Sequence, residues 1–311
     1  MVNNLFNDIS RSKKWIIIEA INKGWSYDKK FYIEDIFNNK FLLRLSDISL
    51  YEAKKEQFMD MKILEDLDVN TPKAIDFGVC NRGKSVYSIF TWMEGIDLED
   101  TIAGLERDKQ YKLGIQAGEI LKKIHSINIK TNNYNWEESY KKKIDRKIQA
   151  YKNCEYKFEN DKSVVGFIKQ NEKLLLDRPI FFQHGDYHLG NMILTPDRKL
   201  GIIDFNRASR GDPYEEYDRF VFTWSKSIDF ANGQIHGYFK GNPPEEFFKL
   251  VALYTAVNLL GTIPWAVGFG EAEIDVALKN TKKIMEVYDN FKTYIPEWYK
   301  ENNDIKIKGG D

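Results

Sequence analysis

The sequence predicts an α+β chain with a small β-rich N-terminal lobe and a large, mainly helical C-terminal lobe. Two observations carry this. Runs of β-branched and aromatic residues separated by turn signals fill the first ninety or so positions, and beyond Gly95 apolar residues recur at helical spacing instead. The change of period places a hinge near residues 91–95 and divides the chain into 1–94 and 95–311. A third observation narrows the function. The chain of 311 residues carries 46 Lys and Arg against 47 Asp and Glu, so no global charge draws it to nucleic acid or to an anionic membrane, and neither is expected as a partner.

The elements follow in order. WIIIEAINKG and KKFYIEDI read as two strands separated by Gly24-Trp25-Ser26. Phe37-Asn38-Asn39 marks a turn, and KFLLRLS is a third strand. In YEAKKEQFMDMKILEDL, Phe58, Met61 and Leu64 recur at helical spacing until Thr71-Pro72 stops the helix. SVYSIFTWMEG reads as a further strand ending at Gly95. Leu113, Ala117, Leu121 and Ile124 then share one helix face, and Tyr140, Ile144, Ile148 and Tyr151 share another. The opposite face of that second helix carries Lys141, Lys142, Lys143, Arg146 and Lys147 and reads as a solvated surface.

Other classes are set aside on composition. Two cysteines, Cys80 and Cys154, make no disulfide framework and no zinc-ligand spacing, which fits a reducing cytoplasm. The polar start MVNNLFNDISRSKKW lacks the apolar core of a secretory signal. Leu250 to Gly270 contains no charge, but Pro264, Gly261 and Gly268 suggest a buried helix to about Leu260, a break, and an aromatic loop around Trp265.

The chemistry concentrates at FFQHGDYHLGN, residues 181–191. The apolar runs MIL and LGIIDF flank the turn TPDRK and read as a short hairpin. Asn191 stands just before its first strand and Asp204 just after its second, so both fall at one end of the hairpin, where strands lie about 4.8 Å apart. Two hard oxygen ligands that leave room for water and phosphate suit Mg²⁺. Asp186, in the adjoining loop, can accept the proton of an attacking hydroxyl. The alternative is structural, with Asp186 capping a turn and the other two satisfying strand-end amides. His184 reads as a scaffold of the loop, and His188 faces either the transferred phosphate or solvent.

His184-Gly185-Asp186-x4-Asn191 followed by Asp204-Phe205 has the spacing of a protein-kinase catalytic loop and metal-binding Asp. HGDYHLGNMIL, followed by GIIDFNRASRGDPYEEYD, resembles the aminoglycoside phosphotransferase family, small-molecule kinases of the protein-kinase-like two-lobed fold that are related to choline kinases. The resemblance runs from about Lys23 to the C-terminal helices. It implies Asp186 as catalytic base, Asn191 and Asp204 as Mg²⁺ ligands, and ATP or GTP as co-substrate. It also implies that NKGWSYDKKFY covers phosphate, with Gly24 and Ser26 offering backbone and hydroxyl donors, and that His188 belongs to the nucleotide end. Arg44 stands where such kinases carry a strand lysine, and the family spacing nominates Glu56, with Glu52 second, as its helix partner. Thr91, Trp92 and Met93 fall at the hinge, where backbone groups read the purine edge.

For the acceptor, Asp212, Glu215, Glu216 and Asp218 form an acidic run past the metal Asp, which suits a polycationic sugar antibiotic, and Trp265 offers a stacking face. Arg207, Arg210 and Arg219 are interleaved, so the same acids also read as internal ion pairs. The expected function is Mg²⁺-dependent transfer of the γ-phosphate of ATP or GTP to a hydroxyl of a small molecule, with an aminoglycoside, and so antibiotic resistance, as one acceptor class. Choline, homoserine or a sugar in a metabolic kinase is the alternative. A nucleotide-binding protein without turnover is a third reading. A kinase acting on protein chains fits less well, since no A-P-E segment follows Asp204.

Overall fold

The computed structural model describes residues 5–22, 28–127, 129 and 135–302. By internal contacts the chain forms two compact units, Met1–Asp97 with Met192–Ala208, and Leu98–Asn191 with Ser209–Asp311. The hairpin that the sequence assigned to the helical part therefore belongs with the β-rich unit.

The first unit is built on an antiparallel sheet of β1 (Trp15–Ile21), β2 (Lys29–Asp35), β3 (Lys40–Asp47), β4 (Ala74–Cys80) and β5 (Ser85–Thr91), in the order β1-β2-β3-β5-β4. Alternation decides the faces. In β2, Phe31, Ile33 and Asp35 are buried while the residues between them are less so. Phe31, Ile33, Leu43, Leu45, Tyr87 and Ile89 make one core with Phe6 and Ile9. Helix α1 (Tyr51–Leu64) sends Phe58 against Phe77 and Phe90. It ends at Leu64, before the expected Thr71-Pro72 stop, and β5 ends at Thr91, before Gly95. A second sheet, ordered β6-β8-β9, joins β6 (Ile96–Asp97) to the hairpin of β8 (Met192–Leu194) and β9 (Leu200–Ile202). The chain can enter β6 only through a glycine. Gly95 has φ +144°, and a Cβ there would lie 2.4 Å from the Leu194 carbonyl oxygen.

The second unit is mainly helical. Its helices are α2 (Leu98–Thr101), α3 (Arg107–Ile124), α4 (Trp136–Asn153), α5 (Asp161–Asn171), α6 (Val221–Trp224), α7 (Ile228–Phe239), α8 (Glu245–Val267) and α9 (Glu271–Val287), with β7 (Phe181–Gln183) paired to β10 (Ser209–Gly211). Helices α3 and α7 meet backbone to backbone. A Cβ on Gly114 or Gly118 would stand 2.2 or 2.1 Å from the carbonyl oxygens of Phe230 and Gln234. A Cβ on Gly233 or Gly237 would stand 2.2 Å from those of Tyr111 and Ile115. The predicted apolar face of α4 (Tyr140, Ile144, Ile148, Tyr151) is buried in the core that α8 crosses. Helix α8 is apolar all round, as a core helix must be. It does not break at Leu260 but continues through Pro264 to Val267. Length and composition would let it span a bilayer, and 67% of its apolar window is buried inside the protein.

Candidate active site

The first unit assembles a charged cluster on β2 and β3. Lys30 and Arg44 are direct cross-strand partners, so their side chains rise from the same face of the sheet. Arg44 donates from Nη2 and Nε to Asp28 at 2.8 and 3.1 Å, and from Nη1 to Asp204 at 3.2 Å. Lys54 Nζ and Ser46 Oγ also donate to Asp28, at 2.8 and 2.6 Å. Burial alone would raise the Asp28 pKa, but Arg44, Lys54 and Ser46 together hold it down, to about 2. Lys30 moves the other way, its pKa lowered by burial against the pull of Asp204.

Glu56, expected as the partner of Arg44, is exposed on α1, and the carboxylates that the Arg44 fork meets include Asp28 and Asp204. The neighbouring turn of α1 contributes Gln57, which donates to the Asn206 carbonyl at 2.9 Å. Gly24 and Ser26 lie outside the described residues.

At the expected hinge, two of the three backbone N–H groups are already used. Thr91 N–H donates to the Lys73 carbonyl and Trp92 N–H to the Lys40 carbonyl, at 2.9 and 3.0 Å. The Met93 N–H has no backbone partner among the described residues. The Met93 side chain covers Gly201, whose added Cβ would lie 2.7 Å from Sδ, so a larger residue there would expel it.

Asp204 sits two residues past β9 in the left-handed region, φ 65° and ψ 56°. Its Oδ1 accepts from Arg44 and from the Asn206 amide, while Oδ2 has no partner among the described residues. Asn191 immediately precedes β8 in the chain, and the strands are in register at Met192↔Ile202. Asn191 Nδ2 donates to the Asp186 carbonyl at 2.8 Å, which turns the amide so that its Oδ1 remains as a lone-pair donor. Among the described residues no group of three or more His, Cys, Asp and Glu forms a metal cage.

In the second unit the loop that carries Asp186 is fastened from several sides. Gly185 has φ +82° and makes the turn between His184 and Asp186. Glu216, buried, accepts the backbone N–H groups of His184 and Gly185 at 2.8 Å each. Tyr187 Oη donates to the Ala117 carbonyl on α3 at 2.7 Å. Fully buried His184 accepts the Asp186 N–H at Nδ1, 3.2 Å, as a scaffold residue would. His188 turns toward Asp186 with Nε2 3.6 Å from Oδ1, and its Nδ1 accepts from Gly190 N–H at 3.1 Å. That contact assigns the proton to Nε2, and burial keeps the ring neutral by lowering its pKa against the pull of Asp186. The carboxylate of Asp186 accepts from Arg219 Nη1 at 2.7 Å. The sequence offered Arg219 only as one of several interleaved cations.

The expected acidic wall is not free to receive an acceptor. Asp212 is wholly buried, pairs with Arg178, accepts from Tyr254 Oη at 2.8 Å, and caps the Pro213–Tyr217 turn at Tyr214 N–H. Glu215 pairs with Lys143 and accepts from Gln183 at 3.3 Å. Glu216 braces the loop as described. Three carboxylates close together in sequence are thus spent in three directions. Trp265 is 43% exposed, and its ring packs on Phe269 with centroids 4.6 Å apart.

The sequence matches the model of the phosphotransferase enzyme family, APH, over residues 17–248. Solved structures of the same fold include the GDP complex of wild-type aminoglycoside 2'-phosphotransferase-IIIa, at 17% identity over 90% of this chain and 95% of that one, with a TM-score of 0.67. The gentamicin complex of APH(2")-IIa aligns at 15% identity over 89% and 95%, with a TM-score of 0.62. A choline/ethanolamine kinase family protein from Mesorhizobium loti aligns at 14% identity over 93% and 95%, with a TM-score of 0.66. No curated protein matches the chain. At these identities the likeness is one of fold, and the fold is protein-kinase-like.

Proposed function

From the premise that this chain belongs to the phosphotransferase enzyme family, we propose that it transfers the γ-phosphate of ATP or GTP to a hydroxyl of a small molecule, with Mg²⁺. The observation that carries the reading is the state of Asp186. Its carboxylate is 19% exposed, on a loop whose backbone is held by Glu216, His184, Asn191 and Tyr187. A base so fixed orients an acceptor hydroxyl and takes its proton, which is most of what a phosphoryl transfer asks of the protein.

Asn191 and Asp204 are the residues proposed to hold Mg²⁺, which when bound would neutralise charge on the phosphates. Arg44, anchored by Asp28, keeps a guanidinium fork in the charged cluster of β2 and β3, where it offers the triphosphate a fixed cation. Solved relatives in complex with GDP and with ATP support nucleotide as co-substrate. The closure of the acidic run removes the reason to prefer a polycationic antibiotic, and the choline/ethanolamine kinase neighbour supports a metabolic acceptor as the alternative. The test is nucleoside diphosphate release by the purified chain with Mg²⁺ and ATP or GTP across antibiotics, choline, amino-alcohols, sugars and hydroxy acids. Release stimulated by at least one acceptor and abolished by EDTA is expected. Release independent of every acceptor would end the transferase reading.

A further inference from the structure

The charges around Asp186 are mixed and do not form the acidic wall that a polycation binder needs. Asp212, Glu215 and Glu216 are occupied by Arg178, Lys143 and the loop amides. Beside Asp186 stand the neutral His188 and Arg219, with Asp218 next to Arg219. Its guanidinium has five donors; Nη1 is used on Asp186, Nε stands 3.9 Å from Asp218, and Nη2 makes no hydrogen bond among the described residues. The side chain is 30% exposed, so those donors are reachable.

A second cation lies in the same cluster. Lys147 on α4 was expected on a solvated basic face, but its stem crosses α8 at Gly261, where an added Cβ would stand 2.8 Å from Cε. Its Nζ donates to Asn258 Oδ1 at 3.1 Å, and among the described residues this neutral amide is its only hydrogen-bond partner. The other end of the same amide donates to the Asp218 carbonyl at 3.3 Å, one residue from Arg219. Burial, with Lys143 and Arg219 nearby, lowers the Lys147 pKa to about 8. An ammonium so placed gains from an incoming anion and loses from an incoming amine.

We infer that the acceptor is a hydroxyl compound bearing an anionic group, a carboxylate or a phosphate, which Arg219 and Lys147 hold while its hydroxyl meets Asp186. This deepens the phosphotransferase reading and rests on it. The anionic group remains unchanged in the reaction. The acceptor O–H bond breaks, its oxygen bonds to the γ-phosphorus, the diphosphate leaves with the electron pair of the broken P–O bond, and the proton goes to Asp186.

The experiment uses the full chain with Mg²⁺ and ATP or GTP, and matched acceptors: gluconate against glucose and glucosamine, and glycerate against glycerol. Diphosphate release is read for the parent, Lys147→Met and Lys147→Arg. The expected result is a hydroxy acid preferred over its neutral and amino counterparts by roughly tenfold or more in kcat/KM. Lys147→Met should erase that preference through a raised KM for the hydroxy acid, and Lys147→Arg should restore part of it. A preferred neutral or amino acceptor, or a preference that survives Lys147→Met, overturns the inference while leaving the transferase reading standing. If no acceptor elicits release, calorimetric titration of gluconate and glycerate decides the site separately. Binding lost in Lys147→Met sustains an anion site although the transferase reading falls, and absent binding overturns both.

Discussion

Arg219 Nη1 donates a 2.7 Å hydrogen bond to Asp186 Oδ1 across 33 positions of sequence. The proposed base is therefore a carboxylate held and oriented by a cation. Asp186→Ala is expected to lower kcat by about 10²–10⁴, the range of a lost general base. Nucleotide affinity should stay within twofold or so of the parent, since Asp186 orients the acceptor and not the nucleotide. Steady-state kinetics with a nucleotide titration checks both.

Glu216 supplies both oxygens to the loop amides of His184 and Gly185. Glu216→Gln replaces one acceptor with an NH₂ group that faces a buried N–H. A stability loss of about 1–3 kcal/mol is expected for the orphaned donor. kcat should fall about tenfold or more as the loop loses its setting, with KM for nucleotide little changed. Denaturant unfolding and kcat measured on the same preparation separate the two effects.

Asp28 gives a pH signature with a defined sign. Its carboxyl titrates at about 2 when folded against 3.8 as the ordinary value, because Arg44, Lys54 and Ser46 outweigh the effect of burial. A depressed carboxyl adds stability at pH above its unfolded value and loses it as pH falls through the folded one. Between about pH 4 and pH 2 the contribution, on the order of 1–2 kcal/mol, should disappear. Asp28→Asn should be less stable than the parent at pH 6 and approach it near pH 2, as followed by urea midpoints.

Arg44 and Asp204 can be told apart by nucleotide binding. Arg44→Lys keeps the charge but loses the fork shared by Asp28 and Asp204, and about a tenfold loss of nucleotide affinity is expected with its Mg²⁺ dependence kept. Asp204→Ala should make affinity the same with and without Mg²⁺. Calorimetric titration in Mg²⁺ and in EDTA reads both variants.

The sheet strands β1, β2, β3 and β5 were legible because alternation and turn residues agree. Strand β4 (Ala74–Cys80) was not read, since Asp76 and Gly78 interrupt its apolar run and only pairing to β5 makes it a strand. The end of α8 was misjudged because Pro264 stands within its last turn, where the proline removes one N–H from a helix whose preceding turns are buried in the core. In the site, the spacing of His184, Asp186 and Asn191 is local chemistry and shows in the string of letters. The Arg44–Asp28 and Arg219–Asp186 pairs are not local: each joins residues 16 and 33 positions apart, and no periodicity marks which of several acids a cation will choose. The acids at 212, 215 and 216 misled for the same reason, since adjacent carboxylates in a tight turn point to different partners.

The glycine contact between α3 and α7 has a consequence for how this protein can change. Side chains elsewhere in the core can shrink or grow in compensating pairs, but two main chains already touching offer nothing to trade. Mutational drift should be slowest along Gly114, Gly118, Gly233 and Gly237, although none of them touches a reactant. Ala117, in the middle of that seam, carries the carbonyl on which Tyr187 rests. A shift of α3 by even a methyl's width would reach the loop of the base, so the platform and the chemistry are inherited together.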